Sequence, residues 1–422
     1  MKRQGKLSRP AYRFVQFLAW FPATFLFGRR VRRNEIRDLA GPFCVIANHE
    51  CAMDFVNLIG LCRRPMRFVI SYCIYNTLPL RWIVSRLGLI PKQQFQTKPT
   101  DLLEMRRTVQ DGEPLVIFPA GLMCEDGLST PIPTATGKFL KWLDVDVYAA
   151  RTTGAYFVQP KWAKKKRPGR TYLDVYKLLG REELAALDEA AVMDRVNAAL
   201  LFDAYREEEE NAIANPRNRQ IEGLHNVLYQ CPHCLSEGST ETARDTIRCR
   251  VCGFEERSDA MGLLHKTGGP GEELRYVSDW SRLIREETRR QLDAGELTEL
   301  SCRAVVRLLD LRKGRFEDAG RGTLTLGPKG FRFEGEGAPA DSESPSGEPL
   351  YAAPPNFTVP ISALPTLPFK PGRHIELQKG DTIYRCVPDE PQCLMKFVNY
   401  VELTYENRRR PAERRRRDAK GE

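Results

Sequence analysis

Residues 43 to 54 read Phe-Cys-Val-Ile-Ala-Asn-His-Glu-Cys-Ala-Met-Asp, and this stretch decides how the first half of the chain folds. Its apolar beginning predicts a buried strand, with Asn48 and His49 following where that strand should end. A helix that begins near Met53 would place Asp54 in its first turn, where the helix dipole favours an ionised carboxylate. A neutral imidazole accepts a proton near neutral pH, and a nearby carboxylate fixes its tautomer. His49 and Asp54 are therefore a candidate catalytic pair, although chance matches to this spacing are common and the context must support it.

Two later segments supply that context. Residues 115 to 121, Leu-Val-Ile-Phe-Pro-Ala-Gly, form a second apolar strand that ends at Pro119 and Gly121, and residues 88 to 92, Gly-Leu-Ile-Pro-Lys, lie between the two strands. Predicted strands alternate with predicted helices, and the helices include residues 82–87 and 102–110. This alternation predicts an α/β domain with a largely parallel sheet, in which functional residues gather at the carboxyl ends of the strands.

The three motifs, in this order, resemble those of the glycerolipid acyltransferases, and of the lysophosphatidic acid acyltransferase family in particular. That family carries Asn-His-x4-Asp, then a Gly-x-Ile block ending in a basic residue, then Phe-Pro-Glu-Gly-Thr-Arg. The similarity extends from about Tyr12 to about Leu179. It implies a mixed sheet with flanking helices and an acyl donor, which is acyl-CoA or an acyl carrier protein. It also implies that His49 is the general base, that Asp54 holds its ring, and that Asn48 positions the strand end or donates a hydrogen bond.

The third motif departs from the family pattern. The family's glutamate, threonine and arginine are replaced by Ala120, Leu122 and Met123, so polar groups associated with the acceptor's glycerol phosphate are missing. Glycerol 3-phosphate is therefore a poor candidate, and a lysophospholipid-like hydroxyl acceptor is expected. A lysine can still bind an anionic head group as a point charge where an arginine is usual. The predicted substrate-binding residues are Gly88, Lys92, Phe118, Pro119 and Gly121, with backbone amides near Gly121 meeting the developing oxyanion.

The N-terminal segment and the C-terminal tail both contain many basic residues. Residues 14–27 are apolar, and as a helix they would reach only about 21 Å, short of the roughly 30 Å hydrocarbon core. Basic residues flank this stretch on both sides, and residues 408–417 hold a second dense cluster that is expected to be disordered. Residues 1–33 and 408–417 are predicted to meet an anionic membrane surface, on the cytoplasmic face of the cell membrane. An ordinary buried first helix is the alternative for residues 14–27.

The net charge of +10 favours an anionic partner, and both nucleic acid and an acidic membrane qualify. Twelve cysteines without an export signal indicate a reducing compartment rather than a disulfide framework. Four of them form two Cys-x2-Cys pairs separated by fourteen residues: Cys231, Cys234, Cys249 and Cys252. Such spacing predicts a closed tetrahedral site for structural zinc, with iron or a vestigial site as alternatives, and the segment resembles a zinc ribbon. The spacer is acidic and lacks aromatics, so nucleic acid is an unlikely partner.

Beyond the cysteines, the chain predicts a β-rich domain. Strand-like runs begin near residue 303, a Gly-, Pro-, Ser- and Glu-rich excursion covers 336–356, and an apolar stripe marks a closing helix over 392–406. Several strands followed by one capping helix resemble the pleckstrin-homology-like or GRAM class.

The predicted organisation has six parts: an interfacial anchor and basic hinge (1–40), an acyltransferase-like catalytic domain (41–215), a zinc ribbon (222–258), a helical linker (259–300), a PH/GRAM-like domain (301–407) and a basic tail (408–422). The leading hypothesis is a membrane-associated O-acyltransferase that uses His49 and Asp54 as its base. One alternative is a catalytically inactive lipid-binding scaffold of the same fold. A second is a nucleic-acid-binding zinc-ribbon protein.

Overall fold

A computed structural model describes residues 9–26, 28–78, 87–94, 98–336, 356–380 and 382–420. Its first sheet contains β1 (Arg29–Asn34), β2 (Cys44–Ala47), β3 (Arg67–Ser71), β4 (Ile90–Lys92), β5 (Leu115–Ile117), β6 (Val147–Thr153) and β7 (Thr171–Leu179). The strand order is β1-β7-β6-β2-β5-β3-β4, and every neighbouring pair is parallel except β6 with β7. The predicted mixed α/β sheet is confirmed.

Both faces of this sheet are covered, as its central strand shows. In β2, Val45 and Ala47 pack into one hydrophobic cluster, while Cys44 and Ile46 pack into another. A strand buried on both faces reads as a continuous apolar run, which is why residues 43–47 lack alternation. The covering helices are α1 (Arg9–Phe21, continued by a π-helical turn, Pro22–Leu26), α2 (Asp54–Leu58), α3 (Tyr72–Thr77), α4 (Pro99–Gln110), α5 (Ala135–Leu143), α6 (Ala155–Val158), α7 (Arg181–Ala186), α8 (Glu189–Leu200) and α9 (Ala204–Glu210). Residues 82–86, within a predicted helix, lie outside the described residues.

The segment interpreted as a basic hinge is instead strand β1 at the sheet edge. Arg32 donates through Nε to Asp174 on β7 at 2.9 Å, and the Arg33 guanidinium lies 5.1 Å from the centre of the Tyr176 ring. An edge strand leaves one side open to solvent, so it tolerates charged side chains that a central strand could not bury. This explains why an arginine-rich stretch gave no strand signal in the sequence.

The four paired cysteines belong to a small second unit. It contains the antiparallel strands β8 (Thr240–Ala243), β9 (Thr246–Cys249), β10 (Glu255–Ser258) and β11 (Leu264–Gly268), in the order β11-β10-β9-β8. Helix α10 (Val277–Asp293) follows and buries Trp280 and Ile284, as its amphipathic sequence predicts. The unit therefore runs ten residues further along the chain than the expected end of the ribbon at residue 258.

The third unit is an antiparallel half-barrel closed by one helix, as predicted. Its strands are β12 (Leu300–Asp310), β13 (Arg315–Gly327), β14 (Gly330–Gly335), β15 (Phe357–Pro360), β16 (Phe369–Lys370), β17 (His374–Lys379) and β18 (Thr382–Pro388), in the order β15-β14-β13-β12-β18-β17-β16. Helix α11 (Leu394–Lys420) caps them and buries Phe397, Val398 and Val401. The backbone from 408 to 420 continues this helix, where disorder was expected. Residues 337–355, most of the predicted excursion, lie outside the described residues.

The three units share one hydrophobic core. A single cluster of buried side chains includes Tyr156 from the first unit, Trp280 from the second and Val398 from the third. Polar contacts reinforce it: the ammonium group of Lys161 lies 4.1 Å from the centre of the Phe369 ring, and Gln392 donates to the Thr240 carbonyl at 3.1 Å. The half-barrel is therefore held against the first sheet by a packed interface.

Candidate functional site

The chain reversal after β2 wraps around one carboxylate. The Asp54 side chain is fully buried, and its Oδ2 accepts three hydrogen bonds: from His49 Nδ1 at 2.8 Å, from the Glu50 amide at 2.8 Å and from the Cys51 amide at 3.0 Å. An ionised carboxylate only accepts, so Nδ1 must carry the proton of a neutral His49 ring. The free ring nitrogen, Nε2, is then an unprotonated base. Helix α2 does begin at Asp54, but it has only five residues, so the reversal's own amides provide most of the polar support.

Asn48 fixes the end of β2 to the neighbouring strand. Its Nδ2 donates to the Thr152 carbonyl at 2.7 Å, and its Oδ1 accepts from the Thr152 amide at 2.8 Å. The side-chain amide thus extends the hydrogen bonding between β2 and β6 by one step. Of the two roles expected for Asn48, the geometry favours positioning of the strand end.

The third motif lies beside the histidine. Phe118 follows β5, and its ring centre is 4.5 Å from that of His49. The next residues form a tight turn in which Gly121 has a φ of 71° and its amide donates to the Phe118 carbonyl at 3.0 Å. A positive φ favours glycine at this position. The Gly121 amide itself is therefore used within the turn, and the contact of amides near Gly121 with an oxyanion stays a prediction.

A cleft opens next to His49. It encloses about 240 Å³, part of it open to solvent. Its wall includes Ala120 and Leu122 from the third motif, and Leu200 and Phe202 from the end of α8. Two of the three residues that replace the family's polar groups therefore add apolar surface to a cleft that also contains the polar Ser129 and Thr130.

Lys92 lies further along the same sheet edge, whereas Gly88 precedes the amino end of β4, at the opposite edge. Gly88 has a φ of 62° before β4, and Lys92 is the last residue of that strand, three strands from β2. At the usual spacing of neighbouring strands, the Lys92 and Asn48 backbones are roughly 14 Å apart. Burial lowers the pKa of Lys92, and the negative charge of Asp101 opposes that shift. Lys92 is thus a half-buried cation at the edge that carries His49, but not in direct contact with it.

Cysteine nucleophiles do not fit this site. Cys51 is buried, and its Sγ lies 3.4 Å from Asp54 Oδ1, while Cys124 is buried with its Sγ 3.9 Å from the Glu50 carbonyl. Burial raises the pKa of both thiols well above the ordinary value, and neighbouring carboxylates raise it further. A reactive cysteine requires the opposite shift. Both residues therefore act as small apolar filler rather than as nucleophiles.

Glu50 is the site residue that the sequence did not reveal. Its side chain is 1% exposed, and its carboxylate accepts from the Tyr156 amide at 2.9 Å and from Asn48 Nδ2 at 3.3 Å. Burial raises its pKa well above the usual range, the charge of Asp54 adds to the rise, and the charge of Arg151 opposes it. A glutamate in a loop after a strand normally faces water, so only its place inside the first motif could have drawn attention to it.

With this geometry in place, known proteins provide a comparison. Residues 28–163 match the family model described as Acyltransferase. The chain contains an acyltransferase-family domain. Its fold is similar to the crystal structure of the 1-acyl-sn-glycerophosphate (LPA) acyltransferase PlsC from Thermotoga maritima, at 18% identity and a TM-score of 0.42, over 50% of this chain and 84% of that one. No curated protein matches the sequence. Within the described ranges, no helix is both long enough and apolar enough to cross a membrane.

The four paired cysteines form a group that could hold a metal ion. Their sulfur atoms all lie within 4.8 Å of one another, with 3.6 Å between Cys231 and Cys252 and 3.7 Å between Cys234 and Cys249. A tetrahedral site with zinc–sulfur bonds of about 2.3 Å requires sulfur atoms about 3.8 Å apart. The group therefore fits zinc. Four protein ligands leave no open position, so a bound ion there would stabilise the fold rather than act on a substrate.

Glu50→Gln should become more stabilising as the pH rises. Because the native pKa of Glu50 is raised, the native chain binds more protons than the unfolded chain above pH 4.5. The contribution of Glu50 to stability is therefore present below that pH and is lost as the pH rises, whereas glutamine cannot ionise. Denaturant unfolding from pH 5 to pH 8 should show the free energy of unfolding of Glu50→Gln rising relative to that of the original chain.

Glu35→Gln provides a control of opposite sign. Hydrogen bonds from the Lys177 amide and from Arg33 lower the pKa of Glu35, so this variant should lose stability relative to the original chain as the pH rises from the lowered pKa to about 4.5. From pH 5 to pH 8 its difference from the original chain should stay constant. A Glu50→Gln difference that does not change from pH 5 to pH 8 would contradict the raised pKa of the buried Glu50 carboxyl.

Cys249→Ser should remove the bound metal and destabilise the whole chain. Because the cysteine unit shares its core with both neighbours, the loss is expected to be on the order of 4 kcal/mol of unfolding free energy. Metal analysis should find one zinc per original chain and none in the variant. Cys302→Ser, at a half-buried cysteine outside the group, should keep the zinc. Metal-free original protein with unchanged stability would refute the assignment.

Proposed function

We propose that this chain is a membrane-associated O-acyltransferase that transfers a fatty acyl group from acyl-CoA or an acyl carrier protein to the hydroxyl of a lysophospholipid-like acceptor. The observation that carries the proposal is the His49–Asp54 pair, which leaves Nε2 of His49 unprotonated beside a cleft in an acyltransferase-family domain. The apolar wall of that cleft suits the acyl group of the donor.

In the proposed reaction, Nε2 of His49 removes the proton of the acceptor hydroxyl while its oxygen attacks the thioester carbonyl. Asp54 stabilises the imidazolium that forms, and its two backbone hydrogen bonds hold it in place. The tetrahedral intermediate then expels the thiolate, which takes the proton from His49. The products are an ester and a free thiol. Attack by the acceptor itself makes an acyl-enzyme unnecessary, in agreement with the absence of an activated cysteine at this site.

Helix α1 supports membrane association. One side is docked on the domain: the Tyr12 hydroxyl donates to the Ile59 carbonyl at 3.1 Å, and Gln16 donates to the Cys62 carbonyl at 2.9 Å. The other side exposes large apolar residues, with Phe17 70% and Phe21 64% exposed. An apolar helix face flanked by arginines is typical of a helix that lies in the bilayer interface. The arginine-rich sequence of 408–417 would add attraction to anionic lipid on the cytoplasmic face.

The four-cysteine unit and the half-barrel have structural roles in the proposed function. Zinc is the ion that best fits the four-cysteine group, as in a zinc ribbon. Seven antiparallel strands with one terminal helix support a pleckstrin-homology-like class for the half-barrel. The acidic side chains of the ribbon spacer disfavour nucleic acid, and one of them, Glu237, is paired with Lys396 at 2.7 Å.

His49→Ala should lower acyl transfer at least about 100-fold, because it removes the general base. The assay supplies labelled acyl-CoA or acyl carrier protein with a panel of lysophospholipids and follows the ester product. His265→Ala is the matched control, because His265 forms a histidine–aspartate pair with Asp259 at 2.9 Å outside the acyltransferase domain. Activity that survives His49→Ala would refute the base assignment. No turnover by the original chain would favour the inactive lipid-binding scaffold.

Replacing both Phe17 and Phe21 with aspartate should weaken binding to anionic vesicles by about 100-fold or more, since each buried phenylalanine contributes about 1.5–3 kcal/mol. Vesicle sedimentation measures this. Leu283→Asp on α10 is the control, because Leu283 is also exposed but lies outside α1. Equal binding by the double variant and the control would contradict the role of α1.

A further inference from the structure

A second cleft lies between the first sheet and the half-barrel. It encloses about 550 Å³, more than twice the space beside His49. One wall is Ser71, Tyr72 and Gln94 of the acyltransferase domain, and the other includes Val359 and Leu377 of the half-barrel. No part of the proposed reaction uses it so far.

The sheet register connects this cleft to the catalytic residues. Ile46 on β2 is paired with Ile117 on β5, and Phe68 on β3 is paired with Val116 on β5. Continuing both registers along the strands places Asn48, Pro119 and Ser71 in one row across the sheet edge. The next pairing in that row is Ser71 with Lys92.

Distances along this row suit one bridging ligand. Ser71 stands two strands from Asn48, or roughly 10 Å between backbones, and Lys92 stands one strand further. Gln94, at the cleft wall, also reaches toward the third motif, since its Nε2 lies 3.4 Å from the Gly121 carbonyl. The mouth of the cleft is therefore at the same edge as His49, between it and a half-buried cation.

The packing of the half-barrel holds the far wall of the cleft in place. Its far wall belongs to the unit that shares a core with the acyltransferase domain, and Lys161 lies over the Phe369 ring at 4.1 Å close to the start of β17. The lining is mixed: Val359 and Leu377 are apolar, whereas Glu376 is polar and is paired with Arg385. An alkyl chain could bury the apolar part of this lining.

Taking the proposed acyl transfer as its basis, we propose that this cleft binds the alkyl chain of an anionic lysophospholipid acceptor, and that the half-barrel is therefore part of the substrate site. The acceptor fits better than the donor, because Lys92 is paired with Ser71 of the cleft wall and supplies a cation for a phosphate at that sheet edge, while the hydroxyl points along the row toward His49. The donor's acyl group has the separate apolar cleft beside His49. The replacement of polar residues by Ala120 and Leu122 agrees with an acceptor that is held by its chain as well as by its head group.

Strand β15 offers a matched pair of positions for a test. Val359 is buried and lines the cleft, whereas the preceding Thr358 is exposed on the opposite face of the strand. Val359→Phe should fill the cleft, and Thr358→Phe adds a similar ring outside it. Gln378→Trp is a second blocking variant, at a half-buried position of the wall where a larger side chain disturbs the core less.

The direct experiment is photo-cross-linking of the full chain, without donor, to lysophosphatidic acid that carries a diazirine near the end of its alkyl chain. Adducts are expected on peptides within 356–385, and both blocking variants should reduce them about tenfold, the effect of a misfit in an apolar pocket. Thr358→Phe should label like the original chain. Thermal unfolding of all variants identifies any that fail to fold. If Val359→Phe does not fold, the labelling of Gln378→Trp provides the test instead.

Three results would overturn the inference: adducts confined to residues 43–163, labelling of 356–385 by diazirine acyl-CoA but not by the lysophospholipid, or full labelling of a folded Gln378→Trp variant. The outcome is separable from that of the proposed function. Cleft labelling without turnover would remove the acyltransferase proposal and leave the binding site. Turnover that depends on His49, without cleft labelling, would remove the acceptor site and leave the acyltransferase proposal.

Discussion

The buried Asp54 carboxylate is the constraint on which the site depends. A single oxygen receives the His49 ring and two backbone amides, and this convergence sets both the path of the chain after β2 and the tautomer of the ring. A buried carboxylate is costly unless it is fully hydrogen-bonded. The reversal and the candidate base are therefore one feature, since removing the charge of Asp54 would loosen the loop and change which ring nitrogen carries the proton.

The remaining architecture places this loop where two apolar spaces and one cation are within reach. Parallel strands deliver their ends to one edge, which brings the first motif, the third motif and Lys92 into a common row. Helix α1 packs on the segment that follows α2, so the exposed aromatic face is attached to the same part of the domain as Asp54. The half-barrel forms one wall of the larger cleft, which gives a physical reason for its shared core with the acyltransferase domain.

The sequence predicted the parts whose signal is local. The continuous apolar run of β2, the cysteine spacing and the apolar stripe of α11 each depend on burial or on metal geometry, and each predicted its element correctly. It did not predict β1, because charged residues on an edge strand resemble a loop. It also did not show that the Gly121 amide donates within its own turn, because residue spacing does not reveal which donors a turn uses.

Features that depend on distant contacts had no signal in the sequence. Glu50 accepts a hydrogen bond from the Tyr156 amide on α6 and feels the charge of Arg151 on β6, and both residues lie about a hundred positions away. The cleft between Ser71 and Val359 joins segments separated by almost three hundred residues, and no motif marks either side. The catalytic roles and the acceptor remain proposals that the geometry supports.

The central claim is that His49 has its proton on Nδ1 and leaves Nε2 free as the base. With only five histidines in the chain, nitrogen-15 NMR of the ring can test this on protein labelled at histidine, with His49→Ala to assign the signals. In its neutral form, the His49 ring should show a protonated Nδ1 and an unprotonated Nε2, and Asp54→Asn should disturb that pattern. A His49 ring protonated at Nε2 in the original chain would contradict the account.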